Sequence, residues 1–211
     1  MQQEDRQWET AQEELIEALD LVRRALDEEA VDYVLIGGIA VAALSRARWT
    51  HDIDVFVRPE DALRVLDALA GAGMATEQTD MGWLFKAFHG SVLVDVIFRS
   101  HGDFYLDDEM VERAVERPFK GSTIRVIAPE DLIVMKALVH DEHNPRHWHD
   151  ALSLIAHNEL DCDYLMRRAR HGRRVGHRLA DQGGMMMQGP EEPSGGSARE
   201  ARARASVAVR G

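Results

Sequence analysis

Two aspartates alternate in the segment His51-Asp-Ile-Asp-Val-Phe-Val57, and a third, Asp95, interrupts the apolar run Val92-Leu-Val-Asp-Val-Ile-Phe98. A strand repeats every two residues, so Asp52 and Asp54 share one face while Ile53 and Val55 share the other. Aspartate is a poor strand former, and two carboxylates on one face of a buried sheet repel each other and lose hydration. A divalent cation removes that cost. Asp95, on a second apolar strand, then completes the oxygen ligands that a two-metal phosphoryl-transfer site uses, with Mg²⁺ as the ion that prefers them. The bland alternatives are solvated strand acids at 52 and 54 and a salt-bridged structural acid at 95.

Upstream, Tyr33-Val-Leu-Ile-Gly-Gly-Ile-Ala-Val-Ala-Ala-Leu44 reads as strand, tight turn and helix. Glycines at such a junction let backbone amides approach an anion, and a helix N-terminus adds partial positive charge for a phosphate. Gly37 and Gly38 are therefore the candidate phosphate cradle, although a glycine pair alone also serves turns and close packing. Arg48 and Thr50, just before the aspartate strand, are candidates for phosphate contact or for ordinary loop hydrogen bonds. Lys136 is a candidate point charge for a triphosphate, or a snorkelling surface lysine.

The pair Gly37-Gly38, thirteen intervening residues, Asp52-Ile-Asp54-Val55 and a later strand carboxylate resemble the DNA polymerase beta-type nucleotidyltransferase superfamily. Within it, Gly37-Gly38-Ile-Ala40 through Arg48-Trp-Thr50-His-Asp52-Ile-Asp54 is similar to the small prokaryotic branch, the minimal nucleotidyltransferases and the abortive-infection toxin type. Pro129-Glu-Asp-Leu-Ile-Val-Met-Lys136, followed by Arg146-His-Trp-His-Asp150, resembles the helical region after the core of those proteins. The resemblance spans about residues 31 to 156 and departs in the last motif, where Trp148-His149-Asp150 replaces a Lys-Asp pair. It implies transfer of a nucleoside monophosphate from a triphosphate such as ATP to an acceptor hydroxyl. Two Mg²⁺ ions, replaceable by Mn²⁺, would be held by Asp52, Asp54 and Asp95, with Gly37, Gly38, Arg48, Thr50 and Lys136 on the nucleotide. The implied acceptors are a hydroxyl on a partner protein, the 3′ end of a tRNA or a small molecule such as an aminoglycoside, in a toxin-antitoxin or defence setting.

Two other functions compete. A non-catalytic module of the same fold could neutralise a toxin partner. The cluster His140-Asp141-Glu142-His143-Asn-Pro-Arg146-His147-Trp148-His149-Asp150 has spacings that can bind a transition metal, which would fit a phosphohydrolase; Pro145 splits it into two elements, so a polar interhelical loop is the plainer reading. The basic run Met166 to Arg174, extended by His177 and Arg178, is either a contact for RNA or an acidic partner or a solvated helix end.

These residues need a scaffold, and 211 residues with 45% apolar content supply a core for one domain with a helical appendage. The expected class is α/β (α+β), a small mixed sheet flanked by helices. Residues 1–30 form an amphipathic helix packed on the core, with Leu15, Ala18, Leu19, Val22 and Leu26 at helical spacing. The catalytic core follows over 31–128, a helical region over 129–180, and a tail over 181–211 without a core pattern, expected to be disordered. Helices are expected over 59–72, 108–115, 129–139, 147–157 and 161–171, and strands over 83–88, 92–98 and 123–127. His89-Gly90-Ser91 reads as a hairpin link. The net charge is −12, and the balanced tail leaves 21 basic against 33 acidic residues in the body, which argues against broad duplex binding. The lone Cys162 excludes a disulfide framework, and the absence of a leader or long apolar run gives the expectation of a cytoplasmic protein without a membrane partner.

Overall fold

The computed structural model describes residues 2–46, 50–101, 104–139 and 145–171, with side chains from Thr10 onward. The chain divides into a compact unit, Met1–His177, and residues 178–211, none of which is described. No helix is long and apolar enough to cross a membrane among the described residues.

Helix α1 (Gln2–Glu28) buries Leu15, Ala18, Leu19, Val22 and Leu26, the stripe its spacing predicts. Its end is set by Ala30, in the left-handed region at φ 51, with Ala30 N–H donating to Asp27 O and Val31 N–H to Leu26 O. That pair of bonds is a Schellman closure. The chain then enters β1 (Tyr33–Leu35), turns into α2 (Gly37–Leu44), and continues through β2 (Asp52–Val57) and α3 (Ala62–Gly71). Strands β3 (Ala75–Gln78), β4 (Leu84–His89) and β5 (Val92–Ile97) follow, then α4 (Asp108–Arg113), β6 (Val115–Phe119) and β7 (Ser122–Val126). Helices α5 (Pro129–Leu138) and α6 (Arg146–His157) and a last helical stretch, residues 162–171, complete the described chain.

The strands form one mixed sheet in the order β3-β4-β5-β2-β1-β7-β6, with β2–β5 and β1–β7 parallel and the other pairs antiparallel. One face of its centre is apolar: Ile53, Val55, Val57, Val94 and Val96 have no exposed surface. Helices α1 and α3 cover that face, where Leu19 and Val22 of α1 line a small cavity with Tyr33, Leu35 and Ile124. The expected mixed α/β architecture is therefore present. Strands β3 and β6 were not expected from the sequence. Both are edge strands, the first wholly exposed and the second carrying Pro118, so neither shows the apolar alternation of a central strand. β6 also shortens the helix expected over 108–115, which stops at Arg113.

Helix α5 is buried nearly all round, and its polar residues are matched by the elements that follow. Glu130 Oε1 accepts from Asp161 N–H at 2.8 Å. Asp131 has no exposed surface; it accepts from Tyr164 Oη at 2.6 Å and from Arg168 Nε at 2.7 Å. Arg168 Nη1 also donates to Asp107 Oδ2 at 2.6 Å, while the other oxygen of Asp107 caps α4 through Met110 N–H. The start of the basic run is thus mixed: Arg168 is 7% exposed and committed to Asp131 and Asp107, while Arg167 and Arg170 are exposed, Arg167 pairing with Glu109. Removing Arg168 leaves a buried, unpaired carboxylate, so Arg168→Ala is expected to cost about 3–5 kcal/mol in urea unfolding. Arg167→Ala, at an exposed pair, is expected to cost under about 1 kcal/mol.

Candidate active site

The parallel register of β2 and β5 sets Asp54 directly beside Asp95, and Asp52 beside Leu93. The antiparallel register of β4 and β5 sets Lys86 beside Asp95 and Phe88 beside Leu93. Strand partners share a face, so Glu77, Lys86, Asp95 and Asp54 form one row across four strands, on the face opposite the valine core. Asp54 and Asp95 are half-buried and Asp52 is exposed.

The β1–α2 turn closes on this row. Ile36 N–H donates to Asp54 O at 3.0 Å, and the next residue, Gly37, has φ +63. A Cβ on Gly37 would lie 1.7 Å from Asp54 Oδ2, so both the backbone conformation and the space demand glycine. Gly37 is the first residue of α2, whose N-cap Ile36 offers no side-chain acceptor. The uncapped amides of the first turn and the helix dipole favour negative charge here, first of all the Asp54 carboxylate itself. Gly38, the next residue, is buried within the helix.

Asp95 carries the electrostatic strain. Burial, and next the charge of Asp54, push its carboxyl up to about 6; Lys86 opposes the shift and Asp52 adds to it. Its Oδ1 is buried without a hydrogen-bond partner. A buried anionic oxygen with no donor, next to a second carboxylate at a glycine-made gap, is a donor set that fits a hard divalent cation. Among the described residues no three His, Cys, Asp or Glu side chains converge closely enough to form a metal cluster. The close unit is the Asp54–Asp95 pair, with Asp52 toward solvent, as expected where like charges stand apart.

Two of the remaining expected site residues have partners of their own. Thr50 Oγ1 donates to Asp52 O at 3.4 Å, the ordinary loop bond at the start of β2. Lys136 is buried on α5 with Nζ 3.0 Å from Asp150 Oδ2 of α6. Arg48 lies outside the described residues, as do residues 140–144 of the histidine cluster. Asp150, the last acid of that cluster, is the partner of Lys136. Sequence reading passed over Lys86. Its signal was present in the hairpin: the turn is Gly90-Ser91, with His89 paired to Val92, and counting back from that pair brings Lys86 opposite Asp95.

A group whose folded pKa is raised contributes stability below its unfolded value and loses it as pH rises through the folded one. For Asp95 that window runs from its ordinary 3.8 to about 6. Asp95→Asn is therefore expected to stabilise the metal-free protein at pH 7 by about 1 kcal/mol, allowing for solvent screening at a half-open position. It should also flatten the fall in stability between those pH values, as read by urea unfolding at pH 4.5 and 7.

Comparison with known proteins agrees with this fold. The solution structure of the antibiotic-resistance factor ANT(2'')-Ia is similar with a TM-score of 0.56 at 16% identity, covering 81% of this chain and 97% of that one. The crystal structure of ANT(2'')-Ia in complex with adenylyl-2''-tobramycin gives 0.51 at 18% identity, covering 74% and 95%. At these identities the likeness is one of fold. No curated protein matches by sequence. The family described as nucleotidyl transferase of unknown function (DUF2204) matches residues 15–171, and this chain belongs to that family.

Proposed function

We propose that the protein moves a nucleoside monophosphate from a nucleoside triphosphate to an acceptor hydroxyl, with Asp52, Asp54 and Asp95 holding two Mg²⁺ ions. The observation that carries this reading is the Asp54–Asp95 pair set against Gly37 at the open N-terminus of α2. When bound, the ions would lower the proton affinity of the attacking hydroxyl and offset charge on the phosphoryl oxygens. The chain's own part is placement. The outgoing phosphates would lie against the first turn of α2 at Gly37 and Gly38, where backbone amides and the helix dipole favour anions. The acceptor oxygen bonds to the α-phosphorus as the bond to the bridging oxygen of the β-phosphate breaks; pyrophosphate departs with that electron pair, and the hydroxyl proton goes to solvent. Thr50 supports the start of β2, and Lys136 acts by locking α5 to α6 through Asp150 rather than by reaching the triphosphate.

A toxin-antitoxin or defence setting is the context given by the resemblance of the Gly37 to Asp54 segment to the abortive-infection type. The non-catalytic alternative is disfavoured by the orphaned Asp95 Oδ1: a pure interaction module gains nothing from an unsatisfied buried carboxylate. The test is incubation with Mg²⁺ and each α-labelled triphosphate, alone and with tRNA or cell extract. Transfer of label to a macromolecule or small acceptor is expected, reduced at least about 100-fold in Asp54→Ala while the variant keeps its unfolding midpoint or gains stability. Full turnover by Asp54→Ala would sink the assignment.

A further inference from the structure

In-line displacement puts the attacking and leaving oxygens on opposite sides of the phosphorus. With the outgoing phosphates at Gly37 and the N-terminus of α2, the attacking group must approach across the carboxylate pair, from the side of β5 and β4. Among the described residues, that side is an uncovered sheet surface. Helices α1 and α3 pack on the other face of these strands, leaving Phe88 38% exposed and Lys86 and Leu93 half-buried. Phe88, Leu93 and Asp52 make one row, and Lys86, Asp95 and Asp54 the next. A flat apolar patch and a cation therefore stand side by side next to Asp95.

We propose that this surface seats the acceptor, and that the acceptor is a ribonucleotide unit whose base lies on Phe88 and Leu93, whose phosphate pairs with Lys86, and whose ribose hydroxyl faces the carboxylates. The proposal rests on the nucleotidyl-transfer reading above. A nucleobase is the flat partner an exposed phenylalanine on a sheet takes up, and stacking is indifferent to base identity. A lysine supplies a point charge for one phosphate. Outward of Lys86 the row ends in exposed Glu77, which turns anions away from the sheet edge. One stacked base and one paired phosphate suit a terminal unit, and the acidic body repels a longer nucleic acid track.

A free mononucleotide and the 3′ end of an RNA carry this chemistry alike, so both are probes: AMP, and a fluorescent pentaribonucleotide with a free 3′-hydroxyl. Binding is measured with Mg²⁺ and a non-hydrolysable triphosphate, whose own affinity is measured in parallel. At least one probe is expected to bind. Lys86→Ala and Phe88→Ala should each weaken it about tenfold or more, with triphosphate affinity unchanged and with Lys86→Arg restoring most of the loss. Binding of AMP alone identifies a free nucleotide as acceptor, and binding of the oligonucleotide alone an RNA end. If the triphosphate binds but neither probe does, or if both alanine variants bind the probes as the wild type does, the acceptor assignment is overturned and the transfer reading stands. If the wild type fails to bind triphosphate, the transfer reading itself falls and takes this assignment with it.

Discussion

Asp54 and Asp95 occupy paired positions on neighbouring parallel strands, and the surrounding structure is arranged around that repulsion. The valines between them on the opposite face are fully buried, so a slip of one residue would bring the carboxylates into the apolar layer and the valines out of it. The register is fixed by that penalty. Gly37 is fixed in turn, because the carboxylate of Asp54 fills the volume where any other side chain would begin. The pair thus dictates the strand register, the residue at the head of α2, and the place where that helix starts.

The treatment of Asp131 shows that this chain can satisfy a buried acid. Asp131 has a guanidinium on one oxygen and a phenol on the other, and Arg168 extends the pairing to Asp107 at the cap of α4. Arg113 lies over the Tyr164 ring at 3.9 Å and reaches Asp161. Asp95 receives none of this, though Lys86 stands on the next strand. The same chemical group is neutralised in the helical region and left with an orphaned oxygen on the sheet. Paired acids hold elements together; an unpaired one keeps an electrostatic demand that a cation can meet.

Much of this was legible in the sequence, for physical reasons that differ from part to part. The strands carrying Asp52, Asp54 and Asp95 announced themselves because buried β-branched residues alternate with residues that do not belong there. Helix α1 was legible through its 3–4 spacing, and its stripe from Leu15 to Leu26 is buried as expected. The edge strands were not, because their pairing comes from a neighbour's hydrogen bonds rather than from their own side chains. Of the arginines after Met166, Arg168 alone departs from a solvated helix end, because composition does not reveal that Asp131, thirty-seven residues earlier, pairs with it. The ion pair of Lys136 was hidden in the same way, since its partner Asp150 lies across a helix-helix contact. Lys86 needed the hairpin register, which a two-residue turn fixes only once the turn is counted correctly.

The sheet has two unequal halves on the side that carries the aspartates. Toward β1, β7 and β6, α2 packs over β2 and β6 and is backed by α6, whose Asn158 donates to Leu44 O at the far end of α2. Toward β5, β4 and β3, among the described residues, no helix packs over the row of Phe88 and Leu93, and the sheet remains open to its exposed edge. The carboxylate pair stands at the seam. A helix N-terminus anchored at its other end cannot easily retreat, so its amides present a fixed polar wall on one side of Asp54. The open half imposes no such wall on the far side of Asp95. Under the proposed transfer, two reactants meeting at one phosphorus would use this asymmetry: a rigid grip for the group that leaves with its charge, and free approach for the group that attacks.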